Sequence, residues 1–369
     1  MNHYPSNVKE KLNSIILSMA EHHWLFSKNP GHDFTRQHLG KLSFYDTMRL
    51  IISMGKGSTN DEIMDYFDLD PDLIPSQSAF CQRRRQISLS AFEYLFSEFS
   101  SSFPSTTDKF KDHCILACDG CHVVYATNSD IIEDYNKPRL IDYKGYNHMH
   151  LNGFVDVISK AFLDVVIQPG QQPDEREALH SMLDHFTPDD PQKYIITADR
   201  GYESYDLLFH CEFKNLGYVF RVKSPSSPKS ILSYYASELP DDLEEFDVTI
   251  KRFFTDKATN IMKSQSDVYR YINPSKNTPH FYELLRKNHS HLYFLQFRVV
   301  KIKTAENTYE YLITNLPFSF TLDDIQECYH WRWGIEISFR YLKHAAGLLY
   351  FHSKQPEFLK QEIYSCLIL

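Results

Sequence analysis

The chain has 369 residues, too many for one ordinary hydrophobic core, and its length favours roughly two or three domains. With 42% hydrophobic residues, 27 Phe and 24 Tyr it has enough to bury to exclude a disordered chain. No apolar run approaches the ~20 residues of a membrane helix, and the start Met1-Asn2-His3-Tyr4-Pro5 lacks a secretory signal, which points to the cytoplasm and to no membrane partner.

Residues 1–105 read as helical. Val8, Leu12, Ile15, Ile16 and Met19 recur at helical spacing, and Phe44 to Ile52 is a second helix closed by Gly55 and Gly57. A third starts at Thr59, with Glu62 three residues on, and runs to Phe67. After a turn from Asp68 to Pro75, Ser76 opens a fourth helix that carries Arg83, Arg84 and Arg85. Helix, turn, basic helix is either a helix-turn-helix for DNA or a bundle with a solvated basic face.

Pro104-Ser105-Thr106-Thr107 marks a boundary. Strands follow at Cys114–Val124, Met149–Ile158 and Ala161–Ile167, the last two a hairpin across Ser159-Lys160; then a helix from Asp174 to Phe186, a strand at Tyr194–Ala198, a helix at Tyr202–Cys211 and a strand at Tyr218–Lys223. This α/β order suits an RNase H-like mixed sheet. Ser224-Pro225-Ser226-Ser227-Pro228 interrupts it, and the chain then alternates as strands do to Pro317, a β-rich insertion. Thr321 caps a helix over residues 321–345. The domains expected are therefore a helical DNA-binding domain (1–105), the catalytic core in two parts (106–225 and 318–369) and the insertion (226–317).

Seven scattered cysteines do not make a disulfide framework. Cys114, Cys118 and Cys121, beside His113 and His122, hint at zinc. Alternation in an apolar strand makes Cys114 and Cys118 core residues instead, and no second ligand pair answers them. His148 and His150 read as ordinary polar strand residues. The net charge of −9 does not favour a polyanion partner, but Lys214 to Lys303 carries fifteen Lys or Arg against nine Asp or Glu, and a polyanion responds to the local field.

The chemistry sits in Tyr329, Arg332, Glu336 and Lys343. On one straight helix at about 100° per residue these fall on a single stripe. A carboxylate flanked by cations suits metal-dependent work on a phosphodiester. Asp119 and Asp199 each follow an apolar β-type run, Cys114 to Cys118 and Tyr194 to Ala198. An RNase H-like fold gathers two such strand ends beside a helix. Three converging carboxylates repel unless divalent cations sit between them, and Mg²⁺ or Mn²⁺ suits all-oxygen ligands, so a site for two ions is expected. Taken singly, Arg332 and Glu336 make an i,i+4 ion pair and the aspartates cap strands.

Taken together, these residues resemble a family. Tyr329-(two)-Arg332-(three)-Glu336-(six)-Lys343 looks like the Tyr-Arg-Glu-Lys signature of DDE transposases of bacterial insertion sequences. Asp199-Arg200-Gly201-Tyr202 and Asp119-Gly120 resemble the blocks that hold their first two acids. The resemblance implies that Asp119, Asp199 and Glu336 hold the metal ions and that Tyr329, Arg332 and Lys343 contact DNA; Arg200 beside the second acid, and the basic cluster Arg83, Arg84 and Arg85 of the N-terminal domain, are the further DNA contacts expected. It implies hydrolysis that frees a 3′-hydroxyl at the element's terminal inverted repeats, attack by that hydroxyl on a phosphodiester of target DNA, a DNA hairpin on the way in relatives with the full signature, and a homodimer on the DNA. Relatives stack a flipped base on an aromatic of the insertion. The tryptophans here are Trp24, Trp331 and Trp333, with the last two read as packing residues, so that role would fall to Phe253, Phe254 or Tyr271.

The competing reading is a catalytically silent DNA-binding regulator. Its basis is the apolar, helical run Glu362 to Leu369, which requires a partner. A structure-selective nuclease of the same fold is a third.

Overall fold

The computed structural model describes residues 4–35, 42–102, 109–137, 144–257, 259–273 and 278–369. The first three residues and the boundary at Pro104 to Thr107 lie outside them. The N-terminal part is five helices, α1 (Tyr4–Glu21), α2 (Phe44–Ser53), α3 (Thr59–Tyr66), α4 (Gln77–Gln86) and α5 (Leu89–Ser101). Helix α3 is capped one residue earlier than expected: Ser58, not Thr59, is the cap and Asp61 completes the capping box, while Glu62 accepts from the Gly57 N–H at 2.7 Å.

The strands are β1 (Cys114–Tyr125), β2 (Tyr135–Asn136), β3 (Tyr146–Asp156) and β4 (Ala161–Pro169). Helix α6 (Glu175–His185) leads to β5 (Tyr194–Ala198), and α7 (Tyr205–Phe213) to β6 (Gly217–Val222). Then come β7 (Phe246–Thr255), α8 (Asn260–Ser264), β8 (Tyr269–Tyr271), α9 (Pro279–Lys287), β9 (Leu292–Ala305) and β10 (Thr308–Thr314). The chain closes with α10 (Leu322–Trp331), α11 (Gly334–His344) and α12 (Pro356–Ile368).

Among the described residues the strands make one ten-stranded mixed sheet in the order β2-β3-β1-β5-β6-β10-β9-β7-β8, with β4 also on β3. β1 is antiparallel to β3 and parallel to β5, and β5 is parallel to β6. The segment expected as a separate insertion is continuous with this sheet: β10 pairs antiparallel with β6, Ile313 opposite Phe220. Strand alternation explains the two cores. Ile115 and Ala117 face one side with α1, α2, α5, α11 and α12, whereas Leu116 and Cys118 face the other with α6, α7 and α9.

The run from Glu362 to Leu369 finds its partner within the chain, because α12 packs on α5 and α2. Among the described residues no helix is long and apolar enough to cross a membrane.

Candidate active site between β1, β5 and α11

The parallel register sets Cys118 opposite Ala198, so Asp119 and Asp199 are the next residues on two neighbouring strands about 4.8 Å apart. Asp119 Oδ1 accepts from the Gly120 N–H at 2.9 Å, and Asp199 Oδ1 accepts from the Gly201 N–H at 2.7 Å, which opens the 3₁₀ turn Arg200–Tyr202. These short-range bonds hold both carboxylates where β5 ends beside the middle of β1.

The third acid comes from the far end of the sequence, on a helix that is not the single rod expected. Residues 322–344 form two segments. Arg332 N–H bonds to Tyr329 O at 3.0 Å, Trp333 N–H to His330 O at 3.1 Å and Ile335 N–H to Arg332 O at 3.1 Å, a turn wound three residues per turn. The tightening brings Tyr329 in line with Arg332, whose guanidinium lies 5.6 Å from the tyrosine ring.

Arg332 is the hub. Its Nη1 is 3.5 Å from Asp119 Oδ2 and its Nη2 donates to Glu336 Oε1 at 3.1 Å, so two of the three acids share one guanidinium whose side chain is 5% exposed. Burial pushes the Asp119 carboxyl up; the Gly120 N–H and Arg332 oppose this, Asp199 and Glu175 add to it, and the result is about 6.

Lys343 reaches Cys121, two residues beyond Asp119; burial raises that thiol to about 11 and the lysine opposes the rise. Tyr329 is buried with no hydrogen-bond partner for its hydroxyl, and burial raises that hydroxyl's pKa. Arg200 is exposed at the rim.

The structure separates the three arginines of α4. Arg83 packs over Phe34 and donates to Gln86 Oε1 at 3.0 Å. Arg84 is buried against α12, and Arg85 is exposed. They form no common patch. Part of the local basic excess is taken up in ion pairs: buried Arg252 pairs with Glu238, Arg298 with Asp247 and Lys301 with Asp241, while the exposed Lys303 pairs with Glu244. Trp331 and Trp333, expected as packing residues, are 39% and 48% exposed. Phe253 and Tyr271 are exposed, while Phe254 is fully buried and unable to stack on a base.

Sequence reasoning missed Glu175 and His150. Glu175 Oε1 lies 3.0 Å from His150 Nε2, directly behind Gly120. It also missed a second cluster, His180, His210 and His280, whose ligand atoms lie within 4.8 Å of one another. His180 and His210 lie with near-parallel rings, centroids 5.1 Å apart and Nδ1 to Nδ1 at 2.9 Å, and His280 lies face-on over His210 with centroids 3.7 Å apart. Imidazole lone pairs lie in the ring plane. Face-stacked rings do not aim them at one point, so the cluster is a hydrogen-bonded stack, anchored by His280 Nδ1 on Asp206 Oδ2 at 2.7 Å, that ties α9 to α6 and α7.

The acids in the middle of β1, just after β5 and on α11 offer only oxygen donors, the set that suits a hard divalent cation such as Mg²⁺ or Mn²⁺.

The sequence profile of the family described as "Transposase DDE domain" matches residues 110–369. The piggyBac transposase, solved in a synaptic complex with hairpin DNA, aligns at 10% identity with a TM-score of 0.45 over 87% of this chain; the chain spans 62% of the length of that structure's chain. The Drosophila P element transposase, in a strand transfer complex, aligns at 10% identity with a TM-score of 0.27 over 98% of this chain and 84% of its own. A comparison with curated proteins found no match.

Proposed function

This chain belongs to the transposase DDE-domain family, and from that premise we propose that it is an active DNA transposase of the insertion-sequence group with the Tyr-Arg-Glu-Lys signature, cutting at terminal inverted repeats and joining the freed 3′-hydroxyl to target DNA in a cut-and-paste reaction. The observation that carries this reading is the placement of Asp119 and Asp199 at adjoining positions just past the β1–β5 pairing, with Arg332 between Asp119 and Glu336. The order β4-β3-β1-β5-β6, with β3 antiparallel to β1, supports an RNase H-like core.

Asp119, Asp199 and Glu336 would hold the divalent cations. Two such ions, when bound, supply activation of the attacking oxygen and stabilisation of the leaving one. The protein's own groups position the strand. Arg332 holds Asp119 and Glu336 in place and sets a fixed positive charge where a scissile phosphate would approach. Lys343 and the rim residue Arg200 would hold phosphates on either side. Tyr329 offers a hydroxyl that is unpaired in the free protein. A hairpin intermediate would place an unpaired base near the exposed faces of Trp331, Trp333, Phe253 or Tyr271. Two copies would pair the element's ends.

The basis for a silent regulator weakens, since α12 is covered by α2 and α5. The test is incubation of the purified chain with DNA from both flanks of its gene and Mg²⁺. Strand-specific nicks at inverted repeats, followed by joined products, are expected, and binding without any cleavage in either Mg²⁺ or Mn²⁺ would favour the regulator.

A further inference from the structure

Glu175 opens α6 after the cap Asp174, where an acid is welcome at any helix start. Its side chain does more than face solvent. Oε1 lies 3.0 Å from His150 Nε2 and 2.8 Å from the place where a Cβ on Gly120 would sit, so Glu175 and His150 together fill the side-chain space of the residue that follows Asp119. The other oxygen, Oε2, is 3.6 Å from where a Cβ on Gly201 would sit, and that point is 2.9 Å from Asp199 Oδ1. One carboxylate thus spans the gap between the glycines next to the first two acids.

The second observation is His150 itself. It is 3% exposed on β3, and neither ring nitrogen has a hydrogen-bond partner, because Nε2 approaches Glu175 off the line of a good bond. A buried imidazole with no hydrogen bond of its own, 3.0 Å from a carboxylate oxygen, is placed to fix that carboxylate once its other oxygen is engaged.

We propose that Glu175, oriented by His150, is a fourth carboxylate of the cation site beside Asp119, Asp199 and Glu336. The proposal rests on the reading of those three acids as cation ligands. It accounts for the glycine after Asp119, since any larger residue would evict the His150–Glu175 pair.

The test is Mn²⁺ binding to the full chain without DNA, by titration calorimetry, with the melting temperature measured in EDTA and in Mn²⁺. Glu175→Gln is expected to weaken Mn²⁺ binding about tenfold or more, and His150→Phe to weaken it less, within the range known for groups that orient metal ligands. Glu175→Ala is expected to keep its melting temperature in EDTA and lose most of the rise that Mn²⁺ gives the wild type. A lower melting temperature in EDTA with an intact Mn²⁺ shift would mean a structural role and overturn the proposal. If Asp119→Asn weakens binding while Glu175→Gln matches wild type, the fourth carboxylate is refuted and the three-acid reading stands. Absence of Mn²⁺ binding by the wild type would overturn both.

Discussion

Arg84 Nη1 lies 2.7 Å from Glu362 Oε1, and neither side chain is more than 6% exposed. The same guanidinium donates to Gln361 Oε1 at 3.0 Å and to the Phe358 carbonyl at 2.7 Å, so an arginine that reads as part of a DNA-binding cluster is the pin between α4 and α12. Removing one partner of a buried pair strands the other charge. Arg84→Ala is expected to cost about 3–5 kcal/mol in urea unfolding. Exposed Arg85→Ala should change stability by less than about 0.5 kcal/mol, which leaves it the clean probe of a DNA contact on this helix. An Arg84→Ala protein as stable as wild type would remove the pin.

The same contact makes stability depend on pH. The Glu362 hydrogen bond, working against burial, raises the His352 pKa above its ordinary 6.5, with Nε2 also 3.1 Å from the Gly57 carbonyl. The stabilisation is complete below 6.5 and is lost as pH rises through the raised value. Burial opposes ionisation of Glu362, but His352 and Arg84 outweigh it and hold its carboxyl below the ordinary 4.5; its contribution is present above 4.5 and is lost as pH falls through the lowered value. The melting temperature should therefore peak between these limits and decline above the histidine range. His352→Gln should flatten the alkaline limb, and an unchanged limb would count against the assignment.

Asp119→Asn, Asp199→Asn and Glu336→Gln remove one cation ligand each without changing volume. Cleavage of end DNA in Mg²⁺ is expected to fall by about 10³-fold, the order found when an electrostatic anchor of a transition state is deleted. Binding to the same DNA at low salt should persist. Retained cleavage in all three would falsify the metal assignment.

Gly120→Ala puts a methyl group onto His150 Nε2 and within 2.8 Å of Glu175 Oε1. Overpacking of this kind costs about 1–3 kcal/mol. Combining it with His150→Ala makes room and should recover much of the loss; equal destabilisation by the single and double variants would show that the strain lies elsewhere.

What the sequence disclosed follows its local physics. Apolar runs before Asp119 and Asp199 specify paired strand segments whose ends lie together although β1 continues beyond Asp119, and Thr321 with Asp324 forms the capping box that starts α10. Alternation marks Phe246 to Ile250 and Leu292 to Val300 as strands, but it carries no information on which edge they join, so their continuity with β6 was not legible. The tight turn at Arg332 leaves no mark on apolar spacing. Arg84 and Arg85 are chemically identical, and only a helix 274 or more positions away decides which is buried. Glu175 looks like any acid at a helix start, and His150 like any polar strand residue, until tertiary structure places them behind Gly120.

The hydrogen bonds between β6 and β10 limit how this protein can be trimmed or can move. Excising the stretch between Ser224 and Pro317 would strip β6 of a neighbour and bare a six-residue, largely apolar, unpaired edge, a template for aggregation. A shortened variant would need a replacement strand at that margin. For the same reason, any reshaping that lets a duplex reach the acids has to occur in loops and side chains, since the sheet offers no hinge between the two halves.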